Sequence, residues 1–232
     1  MTRLGIVTGL STESACIQRA AAPLPEPERP LTFSAGGSAE RARAGAERLL
    51  AEGADALVSF GIAGGLDPRL RPGAMVLAEW VVAPDGRRRA TDPGWRESMR
   101  RLAAATVPVT VAVLAGVDRV VDSPADKRAC FEATGAVAVD MESHGVALAA
   151  EAAQVPLLVL RAVADPAECA IPSSALSVLA PDGRLRFSKG LARLAVRPWE
   201  IVPLYRLARD SRAALASLSR VAALDPARLA LV

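Results

Sequence analysis

Apolar positions along the chain fall into two rhythms. Short runs rich in Val, Leu and Ile alternate with longer Ala-rich stretches in which apolar residues return every three or four positions. Strands joined by crossover helices around a largely parallel sheet read in this way. The apolar runs predict strands over 4–8, 31–34, 56–60, 74–82, 107–113, 136–139 and 156–163. The amphipathic stretches predict helices over about 13–21, 39–51, 93–105, 124–134 and 143–153, with two or three further pieces after Phe187. One helix start is well marked: Ser123-Pro124-Ala125-Asp126 offers an N-cap hydroxyl, a proline at the first helical position and an acid in the first turn. The Pro- and Gly-punctuated segments 23–30 and 64–73 read as loops.

Composition narrows this picture. A chain of 232 residues is long enough for one α/β domain with a sizeable core. With 51% hydrophobic but only 3% aromatic residues, that core is built from Ala, Val and Leu, which suits helices packed closely on a sheet. Neither a repeat nor a Gly/Ser-rich linker divides the chain. The expected architecture is therefore a single domain, a three-layer αβα sandwich with a mixed, largely parallel central sheet. The formal charge of +3 is too small to argue for a nucleic-acid partner. Its distribution is uneven, with nine Lys or Arg between Arg184 and Arg220 against Glu200 and Asp210. Cys16, Cys130 and Cys169 show no paired spacing, so neither a disulfide framework nor a zinc site is expected and a reducing cytosol fits. The start carries no apolar segment of signal-peptide length, and no run approaches the roughly 18 apolar residues of a membrane span.

In open α/β sheets, ligands bind beyond the carboxyl ends of the strands. Four predicted strand ends carry candidate chemistry: Gly9-Leu10-Ser11-Thr12-Glu13, Gly61-Ile62-Ala63-Gly64-Gly65, Asp140-Met141-Glu142 and Ala164-Asp165-Pro166. Three of them place a carboxylate just past an apolar strand, where partial burial raises its pKa and keeps it usable as an acid or base. Cleavage of an N-glycosidic bond needs such a set. Positive charge builds on the ribose while the base leaves, so an acid near the base and a group that activates water both help. A further carboxylate on the sugar hydroxyls fixes the ribose.

Gly61-Ile62-Ala63-Gly64-Gly65-Leu66, Val139-Asp140-Met141-Glu142 and Arg161-Ala162-Val163-Ala164-Asp165 resemble, in order and spacing, the signature segments of the purine nucleoside phosphorylase and methylthioadenosine/S-adenosylhomocysteine nucleosidase superfamily. The resemblance runs from about Leu4 to Pro166. Within that superfamily the wording from Ser59 to Pro68, the continuation Asp165-Pro166-Ala167 and the basic C-terminal segment look most like the hopanoid-associated phosphorylases. This implies removal of adenine from adenosylhopane, leaving a ribosyl or phosphoribosyl hopanoid. It also implies roles: Glu13 on the attacking water, Glu142 on the ribose hydroxyls with Met141 packed under the sugar, and Asp165 as the acid at purine N7. Arg161 becomes a supporting residue, and the stretch 116–121 a base-binding segment, with Arg119, Val120 and Val121 as candidates there. Ala63 and Gly64 are the candidate contacts in the Gly-rich segment.

The chain also departs from the superfamily. Where hexameric phosphorylases carry Arg and Ser to hold phosphate, it has Ser59 and Ile62. That favours hydrolysis, unless Gly36, Gly37 and Ser38, with Ser34 and Arg41, form a separate anion cradle. Ile62 also replaces a nucleosidase Ser, and Ala164 stands where adenine-specific relatives have Ser. His144, the single histidine, reads as a helix residue beside the site. Met141 is equally read as core filler, and Cys130 and Cys169 as small packed or surface residues, Cys169 lying in the loop after Asp165 near the expected site.

The segment 198–224 reads as a basic amphipathic helix. Leu204, Leu207, Ala208, Leu215 and Leu218 recur at helical spacing, and Arg206, Arg209, Arg212 and Arg220 supply charge. Such a helix either packs on the domain with a solvated basic face or lies on an anionic membrane surface. Expected, then, is a cytoplasmic enzyme, either free or peripheral at the inner membrane surface, acting on an adenine nucleoside lipid or on a soluble purine nucleoside. It uses no metal or organic cofactor, with phosphate entering only as a co-substrate, and relatives that complete their pockets with a neighbouring subunit make a homodimer the expected assembly. A silent nucleoside- or lipid-binding protein of the same fold is the competing class.

Overall fold

The computed structural model describes residues 3–176 and 197–224. Among these residues eight strands form one mixed sheet: β1 (Leu4–Thr8), β2 (Leu31–Ser34), β3 (Ala56–Gly65), β4 (Met75–Val82), β5 (Arg88–Ala90), β6 (Val109–Gly116), β7 (Ala138–Asp140) and β8 (Leu157–Asp165). The helices are α1 (Ser11–Ala21), α2 (Ala39–Ala51), α3 (Pro93–Ala104), α4 (Pro124–Thr134), α5 (Ser143–Ala153), the short α6 (Ser173–Leu176) and α7 (Ile201–Leu224), which follows a 3₁₀ turn over Pro198–Glu200. The expected α/β class with a mixed sheet is what the chain adopts.

Alternation along the strands sorts the core into two layers, as a period of two requires. Leu4 and Ile6 of β1, Val58 and Phe60 of β3, and Leu158, Leu160 and Ala162 of β8 meet Ile17 of α1, Trp95 and Met99 of α3, and Leu218 and Val221 of α7. Val7, Leu57, Val159 and Val163 face the other way, onto Ala42, Ala46 and Leu49 of α2 and Val146, Ala147 and Ala150 of α5. α4 covers a smaller cluster, in which Phe131 and Cys130 lie against Leu66, Ala115 and Val139.

The sheet is not simply open. β3 pairs in parallel with β1 and β8 and antiparallel with β7, while β4 pairs with β6 and β8 and β6 pairs with β7, so strands β3, β8, β4, β6 and β7 close on themselves. This closure extends four strands beyond their sequence-based limits. β3 runs through the Gly-rich stretch to Gly65, β6 runs on to Gly116, β7 to Asp140 and β8 to Asp165. The Gly64-Gly65 step read as a loop is strand because β7 and β8 flank it, and the register slips at Ala63/Gly64. The short edge strand β5 carries no alternation to betray it and is fixed by pairing with β4. Of the pieces expected after Phe187, those before Arg197 lie outside the described residues, and α7 accounts for the remainder. No helix among the described residues is long and apolar enough to cross a membrane.

Candidate active site

The closed part of the sheet presents its strand ends to one cleft of about 190 Å³. Among the described residues four acids line it, Glu13 from the first turn of α1, Asp140 at the tip of β7, Glu142 just beyond it and Asp165 at the tip of β8. Every one of the four is buried.

Among the described residues, Glu13 takes its hydrogen bonds from main chain. Its Oε2 accepts from Gly9 N and Leu10 N at 2.8 Å each, and its Oε1 accepts from Ile62 N at 2.9 Å. Burial nevertheless raises its pKa, against the opposing pull of Arg161 and these three N–H donors. Glu142 sits at the N-terminal end of α5. Its pKa is pushed up to about 8, chiefly by burial, with Arg161 opposing and the charges of Asp140 and Glu13 adding to the rise.

Arg161 on β8 organises this side from behind the lining. It is fully buried, and its Nη2 donates to Ser59 Oγ at 2.6 Å and to Ser143 Oγ at 3.2 Å. The same nitrogen pairs with Asp140 Oδ2 at 2.5 Å and lies 3.5 Å from Glu142 Oε2. Its Nη1 has no hydrogen-bond partner among the described residues. Two glycines make room for this cluster. A Cβ on Gly61 would stand 2.3 Å from Arg161 Nη1 and 2.8 Å from Glu13 Oε2, and one on Gly9 would stand 2.6 Å from Glu142 Oε1. The Gly-rich stretch thus admits buried side chains rather than shaping a turn.

Asp165 occupies the other side, where Gly64 lets it approach: a Cβ there would lie 3.2 Å from its Oδ2. Its partner is Lys127 of α4, a residue that sequence reasoning passed over. The Lys127 ammonium is fully buried, 2.6 Å from Asp165 Oδ2, and also donates to the carbonyls of Pro166 and Cys169 at 2.8 Å each. Burial raises the Asp165 pKa, and the Lys127 charge and hydrogen bond restrain the rise. A signal existed in composition: Lys127 and Lys189 are the only lysines among 28 basic residues. A compact ammonium with three rotatable donors fits a nest of carbonyls that a planar guanidinium does not.

The other residues singled out from the sequence divide. Ala63, Gly64, Met141, Val120 and Val121 line the cleft with the acids, and Gly37 reaches it from the β2–α2 connection. Gly36 and Ser38 do not line it, and the Ser38 hydroxyl caps α2 by accepting from Arg41 N at 3.3 Å. Arg119 is exposed and outside the lining. His144 is buried beside the site, its Nε2 3.1 Å from Asp118 Oδ1 and its Nδ1 without a partner among the described residues. Val117 and Ile171 complete an apolar wall with Val120 and Val121. Among the described residues that line the cleft, none is Lys or Arg.

This constellation offers several buried, protonatable carboxylates facing one polar floor and one apolar wall, an inventory for acid–base chemistry on a ligand with both characters. The solved structures most similar to the chain include the Neisseria meningitidis 5′-methylthioadenosine/S-adenosylhomocysteine nucleosidase in complex with methylthio-immucillin-A (TM-score 0.72, 17% identity, covering 97% of this chain and 98% of that one). A Helicobacter pylori nucleosidase mutant with 5′-methylthioadenosine in its active site gives a TM-score of 0.70 at 16% identity, covering 95% of this chain and 98% of that one. Native futalosine hydrolase of Helicobacter pylori gives 0.69 at 17% identity, covering 95% and 97%. At such identities the likeness is one of fold. A search of curated protein sequences found no match. The model of the phosphorylase superfamily matches residues 31–180, well over half of the 232 residues, and the chain belongs to that superfamily.

Proposed function

We propose that the protein cleaves the N-glycosidic bond of an adenine nucleoside, with water as the acceptor and adenosylhopane as the substrate. The observation that carries the first part is the convergence of Glu13, Glu142 and Asp165 on one cleft, each acid raised in pKa by burial. In this reading Asp165 delivers a proton to N7 of the departing purine, so that the base leaves neutral. Lys127 holds that carboxyl in place. Glu142, kept beside Arg161, accepts hydrogen bonds from the ribose hydroxyls, which favour its ionised form and place negative charge near the developing cation. Glu13, fixed by three main-chain donors, orients and deprotonates the attacking water.

Water is favoured over phosphate by charge. The lining carries four acids and, among the described residues, no Lys or Arg to offset a phosphate dianion. The hopanoid substrate rests on the family resemblance of the 59–68 and 165–167 segments, and the apolar wall of Val117, Val120, Val121 and Ile171 is consistent with a hydrophobic 5′ substituent. A soluble nucleoside such as methylthioadenosine is the second reading, favoured by the ligands named for the similar nucleosidases. Adenine release would be measured from adenosylhopane in detergent and from methylthioadenosine, each with and without phosphate. Release from adenosylhopane at a rate independent of phosphate is the expected result. Ribose 1-phosphate products, or turnover of methylthioadenosine alone, would overturn the acceptor or the substrate respectively.

A further inference from the structure

Four large apolar side chains sit in the open within seven residues, from the 3₁₀ turn into the first turns of α7: Trp199 is 69% exposed, Ile201 56%, Val202 58% and Tyr205 68%. They are not the stripe that the sequence suggested. Leu204 and Leu207 are half-buried, while Leu215 packs on the core and Leu218 lies within it, so the later part of the leucine stripe is spent on packing against the domain. Ala214, Leu218, Val221 and Ala222 root the second half of the helix in the core. The first turns bring a separate apolar set to the opposite face.

Charge follows that face. At 100° per residue, Arg209 and Arg212 fall on the same side of α7 as Ile201, Val202 and Tyr205, one and two turns further along, with Arg206 at its edge. All three arginines are exposed. Arg209 pairs with Asp210 at 2.8 Å, whereas Arg206 and Arg212 meet no carboxylate among the described residues. An aromatic and aliphatic tip followed by arginines one turn behind matches the layering of a membrane surface, where Trp and Tyr sit at headgroup depth and guanidinium groups meet lipid phosphates. A second copy of the chain fits less well, because a two-fold contact would set this arginine row against its own mate.

The tip is also tied to the cleft. Glu200 accepts from Ser173 Oγ and Ser174 N at 2.9 Å each, which fixes the 3₁₀ turn to α6, and Ile171, two residues before α6, lines the cleft. We infer that the exposed face formed by Trp199, Ile201, Val202 and Tyr205 with Arg206, Arg209 and Arg212 docks the protein on an anionic phospholipid bilayer. Docking is a property of this face whether or not the reaction proposed above is correct, and it is tested without substrate.

The full chain is sedimented with phosphatidylcholine vesicles that contain or lack phosphatidylglycerol, at low and high salt. Two variants accompany it, W199S/Y205S and R206E/R212E, all four positions being exposed. The wild type is expected to partition onto the anionic vesicles, to lose most of that binding in high salt and to bind neutral vesicles poorly. Each arginine near the surface is worth about fivefold in partitioning, so R206E/R212E should bind at least roughly 25-fold more weakly. W199S/Y205S should lose at least about tenfold from the apolar contribution, with melting temperature unchanged in both. Wild type that stays in the supernatant at every composition overturns the inference, as does undiminished binding by both variants. Sedimentation velocity without lipid gives a third check: a dimer that either double substitution splits would assign the face to self-association instead.

Discussion

At the scale of the residue, Lys127 and Glu142 separate placement from chemistry. Lys127 is fully buried, and its ammonium is spent on the Asp165 carboxylate and on main-chain carbonyls. Replacing it by Met removes the charge that restrains the Asp165 pKa, so that pKa rises further. The alkaline limb of the pH–rate profile should therefore move to higher pH while the maximal rate falls by about 10²-fold, within the range of a lost or misplaced general acid. Lys127→Arg should not rescue the rate, because the carbonyl nest takes an ammonium. A profile unmoved in Lys127→Met would remove the residue from any role at Asp165.

Glu142 tests the cost of keeping an acid buried. Its pKa of about 8 in the folded chain lies above the ordinary 4.5, so the native state retains a proton that the unfolded state has shed between those values. Stability contributed through this group is therefore lost as pH rises from about 4.5 to about 8, and is constant beyond. Glu142→Gln removes that loss. The variant should melt above the wild type near pH 9, by on the order of 10 °C, and show no such gain below pH 4.5. Its nucleosidase activity should fall by orders of magnitude, since the amide cannot match a carboxylate on the ribose hydroxyls. Scanning calorimetry at the two pH values reads the first outcome, and adenine release reads the second.

At the scale of the element, most strands and helices were legible because their signals are local. β1, β2, α2, α4 and α5 begin and end where periodicity and caps place them, as at Ser123, whose hydroxyl accepts from Asp126 N at 3.1 Å. What was not legible was where a strand continues after its apolar run stops. Residues 61–65 carry no β-branched alternation beyond Ile62, and they stay extended because β7 and β8 pair on either side. α7 shows the same limit for faces. Its leucine stripe was equally readable as lipid-facing or packed, and the core took Leu215 and Leu218. Leu218 is fully buried among Phe60, Leu158 and Leu160 in the same cluster, so Leu218→Ala should lower unfolding free energy by about 2–5 kcal/mol in denaturant titration. A loss below about 1 kcal/mol would mean that this half of α7 is not seated in the core.

At the scale of the whole molecule, the cleft gathers charge that the chain as a whole does not show. The sequence carries a formal +3, yet the site is lined by Glu13, Asp140, Glu142 and Asp165, all buried. Burial raises three of them, so the unliganded fold should lose thermal stability as pH climbs from weakly acid to mildly alkaline. A ligand that hydrogen-bonds the ionised forms, such as a nucleoside, should flatten that slope. Melting curves across this range with and without methylthioadenosine analogues measure it, and a slope of the opposite sign would contradict the buried state of the acids.

The sequence alone determined the alternating layers, the apolar runs of the strands and the acids that follow those runs, because periodicity, capping and a carboxylate after an apolar run are all written within a few neighbouring residues. Tertiary structure alone decided that Asp140, Glu142 and Asp165 meet Glu13 across one cleft, that Arg161 and Lys127 stand behind them, and that Arg119 and Ser38 do not join. Those outcomes depend on sheet closure and on which face of each helix is buried, and such distances are set by pairing between residues far apart in the chain.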